Sequence, residues 1–248
     1  MVHDIVVRRA LTAVILAGGR GTRISDLFPD IPKPLVPAMG QPFLFWVISW
    51  LARQGLNDIV LSIGHLSHTI EDWVAGAALP QGVQLRCKRE TSQLGTGGGV
   101  RHCLDLCGEF VLVANGDSLV ASDLTPHIER MISDSLDALV FGVEVADASR
   151  YGTLVTTPEG ELLDFAEKRS GAGLVNAGVY LFRRVALEGW ETHKPLSMEH
   201  DVIPGLLRAG CRMGAASLGK CSFLDIGTPE SVIQASSFIE ANLTWFAD

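Results

Sequence analysis

A glycine-rich segment with nearby basic residues is the first feature of this sequence that could do chemistry. Residues 18–23 read Gly-Gly-Arg-Gly-Thr-Arg, and Lys33 follows between two prolines. Glycines let backbone N–H groups approach a polyphosphate as anion donors. The P-loop pattern is absent, and Ile24 stands where the dinucleotide-binding pattern needs its third glycine. The glycines alone could form a structural hairpin or a helix cap, but Arg23 and Lys33 on the same loop favour a phosphate site.

Two aspartates far apart in the sequence each follow an apolar stretch. Asp117 comes after residues 110–114, and Asp225 comes directly after Phe223 and Leu224. Open α/β sheets bind ligands outside the carboxyl ends of their strands, so the two carboxylates could meet in one crevice. Together they would supply hard oxygen ligands for Mg²⁺. A lone aspartate after a strand could instead cap a helix or a turn.

The elements that must position these residues alternate along the first half of the chain. Apolar runs without polar alternation predict buried strands, and the segments between them predict helices. The predicted strands cover residues 11–16, 59–63, 83–86 and 110–114. The predicted helices cover residues 42–54, 67–75 (capped by Ser67), 98–106 and 124–133. This order predicts an α/β fold with a doubly wound, mostly parallel sheet covered on both faces.

The second half of the chain has a different pattern. Four strand candidates with short glycine-containing connections predict an added lobe with mixed or antiparallel pairing. They cover residues 138–145, 152–155, 162–167 and 174–182, and closing helices are predicted at 198–209 and 230–242. No Pro/Gly/Ser-rich linker, internal repeat or hexapeptide β-helix interrupts the chain. We therefore predict an N-terminal extension at 1–10 and a single domain at 11–248.

Composition limits the function classes. The 248 residues are 47% hydrophobic, and 20 Lys+Arg against 28 Asp+Glu give a formal net charge of −8. This argues against disorder and against diffuse binding to nucleic acid or anionic membranes. The longest apolar run, residues 43–52, is shorter than the roughly 20 residues of a membrane span. Arg8 and Arg9 imitate an export signal, but the segment fits better as the approach to the first strand.

The cysteines indicate a reduced, cytoplasmic setting. There are five of them, and none shows CxxC spacing. Cys103 and Cys107 lie four apart on a predicted helix, where we interpret them as buried small hydrophobic residues rather than a metal or redox pair.

Several further motifs complete a recognisable set. Residues 16–23 with 32–35 resemble the signature of the sugar-phosphate nucleotidylyltransferases, the NDP-sugar pyrophosphorylases. The resemblance continues at residues 94–98, 115–117, 151–152, 167–168, 176–180 and 225–229. It spans nearly the whole chain and is strongest to the D-glycero-D-manno-heptose 1-phosphate guanylyltransferases and the catalytic part of GDP-mannose pyrophosphorylases. It implies a Rossmann-like, GT-A type nucleotidyltransferase domain with a sugar-binding lobe.

The resemblance also implies a reaction and a role for each matching residue. A sugar 1-phosphate would attack the α-phosphorus of a nucleoside triphosphate in line, releasing pyrophosphate. The implied catalytic residues are Arg23 at the leaving phosphates and Lys33 at the α-phosphate, and the implied Mg²⁺ ligands are Asp117 and Asp225. The implied nucleotide-binding residues are Leu16, Ala17, Gly18, Gly19, Gly21, Thr22, Arg23, Glu90, Gly95, Thr96 and Gly116. The implied residues for the sugar phosphate are Gly152, Glu167, Lys168 and Asn176. Glu167 and Lys168 could instead form a surface ion pair.

Glu90 lies where the resemblance places contacts to the base. A carboxylate there could accept both N1–H and N2–H₂ of guanine, whereas uracil and thymine offer one donor, which favours GTP. Glu90 could also be solvated beside Lys88 and Arg89. The acidic turn at residues 198–201 is explained by the helix dipole alone.

The best hypothesis is a Mg²⁺-dependent enzyme that makes GDP-D-glycero-α-D-manno-heptose, with a homodimer as one option for its assembly. UTP or another triphosphate with a hexose or N-acetylmuramate 1-phosphate is the second hypothesis. A non-catalytic regulatory homologue is the third.

Overall fold

The computed structural model describes residues 10–24, 26–149, 151–166, 170–191 and 194–247. Its α-helices are α1 (Phe43–Arg53), α2 (Ser67–Gly76), α3 (Gly95–Cys103), α4 (Thr125–Ser133), α5 (Arg184–Glu188), α6 (Ile203–Arg208) and α7 (Pro229–Ala241). Its strands are β1 (Leu11–Ala17), β2 (Pro37–Ala38), β3 (Gln41–Pro42), β4 (Asp58–Ile63), β5 (Gln84–Arg89), β6 (Phe110–Asn115), β7 (Ser118–Val120), β8 (Ala138–Val145), β9 (Thr153–Thr156), β10 (Leu162–Ala166), β11 (Gly173–Arg183), β12 (Met213–Ser217) and β13 (Phe223–Asp225).

Four parallel strands form the part of the sheet that carries the glycine loop. The order is β5-β4-β1-β6, and all neighbours run parallel. In the middle of β1, Val14 pairs with Val60 on one side and Val113 on the other. All three are fully buried, as expected for strands without polar alternation. The carboxyl ends of β1 and β6 therefore lie side by side.

The antiparallel strands extend the sheet beyond this end. β11 runs antiparallel to β6, and the first pair in their register is Val179 with Ala114. The preceding part of β11 therefore lies past the carboxyl end of β6, where it pairs with β8 and, at Val175, with β9. β10 pairs with β9, and β12 pairs with β8. The predicted fold, a mostly parallel sheet with added mixed pairing, is confirmed.

Both faces of the sheet are buried. Along β1, Ala13 and Ile15 pack into one cluster with the side chains of α1, α2, α4 and α7, while Val14 packs into the other with α3, α5 and α6. Helix α1 is buried along most of its length, including Trp50. Cys103 and Cys107 are buried in the second cluster, and burial raises the pKa of each thiol to about 12. None of the helices in the described residues is long and apolar enough to cross a membrane.

The structure corrects several details of the predicted elements. Ser67 does not cap α2, because it is the buried first residue of the helix itself; the N-cap position belongs to Leu66, which has a left-handed backbone (φ +52°) and makes no side-chain cap. Helix α3 begins at Gly95, three residues before the predicted start, since backbone bonds to Leu196 hold the glycine-rich turn in place. The predicted helix at 198–209 begins as a π-helical turn, Met198–Val202.

Candidate active site

A cavity of about 430 Å³ opens at the carboxyl ends of β1 and β6. It is lined by all of the predicted nucleotide-binding residues except Gly116, and by the predicted catalytic and metal-binding residues. The predicted residues that line it are Leu16, Ala17, Gly18, Gly19, Gly21, Thr22, Arg23, Lys33, Glu90, Gly95, Thr96, Asp117 and Asp225. Gly116 is buried beside it, and its N–H donates to the carbonyl of Leu16 at 2.9 Å. Gln93 and Asn115 also line the cavity without having been predicted.

Glu90 is a fixed part of this cavity. Its Oε1 accepts from Oγ of the fully buried Ser62 at 2.9 Å, and its Oε2 accepts from the backbone N–H of Leu94 at 3.1 Å. A side chain on Gly18 would place its Cβ 2.9 Å from the same Oε1, so the glycine loop can lie against the carboxylate only because Gly18 has none. The alternative of a freely solvated Glu90 is wrong.

The two predicted metal ligands lie close together, but not in the way that parallel strand ends would bring them. β13 pairs antiparallel with β7 in a separate two-stranded sheet, which sets Asp225 opposite Ser118. The N–H of Ile226 donates to the Asp117 carbonyl at 2.9 Å. A strand of this second small sheet, rather than the edge of the main sheet, therefore delivers Asp225.

Lys33 joins this pair of carboxylates. It begins a short 3₁₀ turn, Lys33–Leu35, and its Nζ donates to Oδ2 of Asp117 at 2.5 Å. Oδ1 of Asp225 accepts from the N–H of Gly227 at 2.5 Å. Burial raises the pKa of Asp225, and the negative charge of Asp117 raises it further, while Lys33 lowers it. A carboxyl group whose ionisation is disfavoured by burial and by a neighbouring negative charge is a donor that a divalent cation would suit.

A second cavity of about 440 Å³ adjoins the first, because Arg23, Asn115 and Asp225 line both. Of the residues predicted to bind the sugar phosphate, Gly152 and Asn176 line it. Glu167 and Lys168 lie outside the described residues. The structure thus brings together the described residues of both predicted subsites around one shared boundary.

The wall between Asn176 and Asn115 depends on a glycine. β11 has an irregular register between Asn176 and Tyr180, and Gly178 within it has φ +70°. A Cβ on Gly178 would lie 2.5 Å from Nδ2 of Asn115. Only glycine allows this backbone conformation and this close approach without strain.

The second cavity also contains an acid whose role the sequence did not indicate. Glu199 lines it, and its Oε1 accepts from the hydroxyl of Tyr180 at 2.7 Å. That hydroxyl in turn accepts from Nδ2 of Asn176 at 2.6 Å. The helix dipole is therefore an insufficient explanation of the acidic turn. Glu199 and Tyr180 are too far apart in the sequence for any local pattern to indicate their hydrogen bond.

The family model for nucleotidyl transferases matches residues 12–242. The chain belongs to the nucleotidyl transferase family. Both cavities of this nucleotidyl transferase lie within the matched residues.

Curated relatives are guanylyltransferases by name. The chain is 31% identical to a mannose-1-phosphate guanylyltransferase of Mycobacterium tuberculosis, an alignment that covers 91% of this chain and 63% of that protein. It is 29% identical to a D-glycero-alpha-D-manno-heptose 1-phosphate guanylyltransferase of Aneurinibacillus thermoaerophilus, which covers 93% and 99%. This nucleotidyl transferase thus spans less than two thirds of the length of one relative and nearly all of the other.

A solved structure shows the same fold at similar identity. HddC from Yersinia pseudotuberculosis, crystallised in complex with GMP-PN, is 33% identical, with a TM-score of 0.81, over 91% of this chain and 98% of that one. The alignment covers nearly all of both chains, which agrees with the assignment of this protein to the nucleotidyl transferase family.

Proposed function

We propose that the protein transfers a nucleotidyl group from a nucleoside triphosphate to a sugar 1-phosphate. A phosphate oxygen of the sugar 1-phosphate forms a bond to the α-phosphorus, and the bond from that phosphorus to the leaving oxygen breaks to release pyrophosphate. The observation that carries this proposal is the pair of adjoining cavities with Arg23, Asn115 and Asp225 on their shared boundary. Two substrates bound there would meet at one place, and such a reaction requires alignment more than a covalent nucleophile.

The residues of the first cavity have the chemistry to hold the phosphates. The glycines after β1 can present backbone N–H groups to anionic oxygens. Lys33 lines the first cavity and is held beside Asp117, and Arg23 lies where the cavities join. We propose that Lys33 neutralises charge at the α-phosphate and that Arg23 binds the leaving phosphates. The ammonium of Lys33 would then exchange Asp117 for phosphate when substrate binds.

Asp117 and Asp225 would hold Mg²⁺, which keeps waters and takes its remaining oxygens from phosphate groups. When bound, Mg²⁺ supplies positive charge to the phosphates in the transition state. The support is the donor set itself: two neighbouring carboxylates, one with its pKa raised by burial and by the charge of the other.

Glu90 supports GTP as the nucleotide. Its two oxygens are already oriented by Ser62 and Leu94, and each has a further lone pair for the adjacent donors of a guanine edge. The names of the relatives agree, since those cited are guanylyltransferases of mannose 1-phosphate and of a manno-configured heptose 1-phosphate. We therefore propose a manno-configured sugar 1-phosphate, with the heptose as the preferred substrate.

Pyrophosphate release, measured with four triphosphates against several sugar 1-phosphates in millimolar Mg²⁺, tests this function. The panel includes mannose, manno-heptose, glucose and N-acetylmuramate 1-phosphates. GTP with a manno-configured sugar should give the highest kcat/KM. If pyrophosphate is released with UTP alone, the proposed reaction stands but the proposed substrates are wrong. If no pair of substrates gives pyrophosphate, the enzyme hypothesis is wrong and the regulatory-homologue hypothesis remains.

Glu90→Gln tests base recognition separately. Losing hydrogen bonds to a charged acceptor should lower kcat/KM for GTP by about 10- to 100-fold. Glu109→Gln is the matched control, because Glu109 pairs with Arg183 at the amino end of β6, the opposite edge of the sheet. If Glu90→Gln and Glu109→Gln have the same kcat/KM for GTP, the proposed role of Glu90 is wrong.

A further inference from the structure

Glu199 is held in the second cavity by several donors. Besides Tyr180 at Oε1, its Oε2 accepts from Oγ of Ser197 at 3.1 Å and from Oγ1 of Thr96 at 3.5 Å. A carboxylate offers about four acceptor positions, so these contacts orient Glu199 without exhausting Oε1. Among the described residues Glu199 lines the second cavity and not the first. Oε1 of Glu199, on the wall of the second cavity, can therefore accept one more hydrogen bond.

Tyr180 is a dedicated donor to this carboxylate. Its side chain is fully buried, and its hydroxyl lies between Nδ2 of Asn176 and Oε1 of Glu199. Burial, and then the charge of Glu199, raise the pKa of Tyr180 well above its ordinary value, so the hydroxyl stays protonated. Asn176 is fixed at its other end as well, because its Oδ1 accepts from the N–H of Gly178 at 3.1 Å. The three polar side chains therefore form one preorganised chain, and its two ends, Asn176 and Glu199, line the second cavity.

The same carboxylate is tied to the nucleotide cavity. Oγ1 of Thr96 accepts from the N–H of Met198 at 2.7 Å. The N–H of Gly97 donates to the carbonyl of Leu196 at 2.8 Å, and the N–H of Leu196 donates to the carbonyl of Leu94 at 2.8 Å. These contacts join the segment that carries Glu199 to the start of α3. The distance between Glu199 and a nucleotide bound at the first cavity is thereby constrained.

We propose that Glu199 determines sugar specificity by accepting a hydrogen bond from a ring hydroxyl of the sugar 1-phosphate, with Tyr180 as its positioning residue. The proposal rests on the proposed function. A carboxylate would repel the phosphate end of this dianionic substrate, so Glu199 faces the hydroxyl end. The substrate class is a sugar 1-phosphate with a free hydroxyl at that position, and a deoxy sugar at the same carbon is rejected. Glu199 is not among the residues that the family resemblance implies for the sugar phosphate.

Removing single hydroxyl groups from the sugar, in combination with a substitution of Glu199, tests the proposed contact. The probes are GTP with mannose 1-phosphate and its 2-, 3-, 4- and 6-deoxy derivatives, and the readout is kcat/KM for pyrophosphate release. Glu199→Gln keeps an acceptor for Tyr180 and loses the charge. It should lower kcat/KM for mannose 1-phosphate by about 10- to 100-fold, mainly through KM. For the wild type, the deoxy sugar that lacks the contacted hydroxyl should have a kcat/KM lower than that of mannose 1-phosphate by a similar factor. For this one deoxy sugar, Glu199→Gln should have the same kcat/KM as the wild type.

Two comparisons separate this role from a structural one. Asp201→Asn is the matched control, because Asp201 lies in the same turn, is exposed, and accepts from the N–H of Ser197. It should leave all kcat/KM values within about twofold. Tyr180→Phe should raise KM for mannose 1-phosphate by a larger factor in the wild type than in the Glu199→Gln background, because only its effect through Asn176 remains once Glu199 is replaced.

Equal losses with every sugar in Glu199→Gln, or additive effects of Tyr180→Phe and Glu199→Gln, would overturn the proposal while leaving the proposed function intact. Absence of pyrophosphate release by the wild type with every pair of substrates would overturn the proposed function itself.

Discussion

Replacing Lys33 with methionine tests the ion pair at the centre of the site. Nζ of Lys33 lies 2.5 Å from Oδ2 of Asp117, and the two side chains are 14% and 27% exposed. Exposed pairs contribute about 0–1 kcal/mol, while removing one partner of a buried pair costs about 3–5 kcal/mol. This pair lies between those limits, so Lys33→Met should lower the free energy of unfolding by about 1–3 kcal/mol.

The same substitution should separate metal binding from catalysis. Asp117 raises the pKa of Asp225 whereas Lys33 lowers it, so the variant leaves the two neighbouring carboxylates with only Arg23 and the N–H of Gly227 to offset their charge at Asp225. Added Mg²⁺ no longer competes with an ammonium group for Asp117. We therefore expect Mg²⁺ to stabilise the variant more than it stabilises the wild type. Turnover should nevertheless stay low, because losing one preorganised charge at the reacting phosphate costs about 10²- to 10³-fold in rate.

Urea unfolding with and without Mg²⁺, together with pyrophosphate release at saturating substrates, measures both effects. Lys88→Met is the matched control, because its ion pair with Asp105 is 2.7 Å long but Asp105 is 60% exposed and neither residue lines the described cavities. That control should lose less than about 1 kcal/mol and keep its turnover. A Lys33→Met protein as stable as the wild type and active within a few-fold would refute both the strength of the pair and the role of Lys33.

Two further predictions concern residues around the same boundary. Gly178→Ala should lose about 1–2 kcal/mol from its left-handed backbone and should also raise KM for the sugar 1-phosphate by crowding Asn115; Gly210→Ala, with φ +78° and open space around it, should show only the loss of stability in urea unfolding. Because burial and Asp117 raise the pKa of Asp225, its ionised form destabilises the metal-free fold at neutral pH, and this penalty disappears as the pH falls and the carboxyl is protonated. Metal-free Asp225→Asn should therefore be more stable than the wild type at pH 7, with an advantage that shrinks toward acid pH in urea unfolding; a less stable variant at pH 7 would contradict this.

Elements with a strong local pattern could be predicted from the sequence. The runs that form β1, β4 and β6 are almost wholly apolar and buried, and they were predicted to within one residue at either end. β12 was not predicted, because its sequence Met-Gly-Ala-Ala-Ser lacks β-branched and aromatic residues. It is a strand because β8 pairs with it along its length. The strand conformation of β12 is therefore stabilised by its pairing with β8 and not by the intrinsic β propensity of its residues.

Most of the residues that line the first cavity could be named from the sequence, but their contacts could not. Asp117 and Asp225 could be named, yet they meet through β7 and β13, which are too short to show any periodicity. Glu199 could not be distinguished from an acid that favours a helix start, because its partners Thr96 and Tyr180 lie on other elements. Local sequence reports which groups are available, and only the fold reports which of them are already paired.

Pairing also explains how a chain of net charge −8 can be suited to anionic substrates. The acids of the cavities are engaged: Glu90 by Ser62 and Leu94, and Glu199 by Tyr180. An acid satisfied by fixed donors presents a directed acceptor to a base or a hydroxyl rather than a diffuse field against phosphate. The phosphates would meet backbone N–H groups and local cations instead. We therefore expect the positions of the charges, rather than the net charge, to favour small phosphorylated substrates over polyanions.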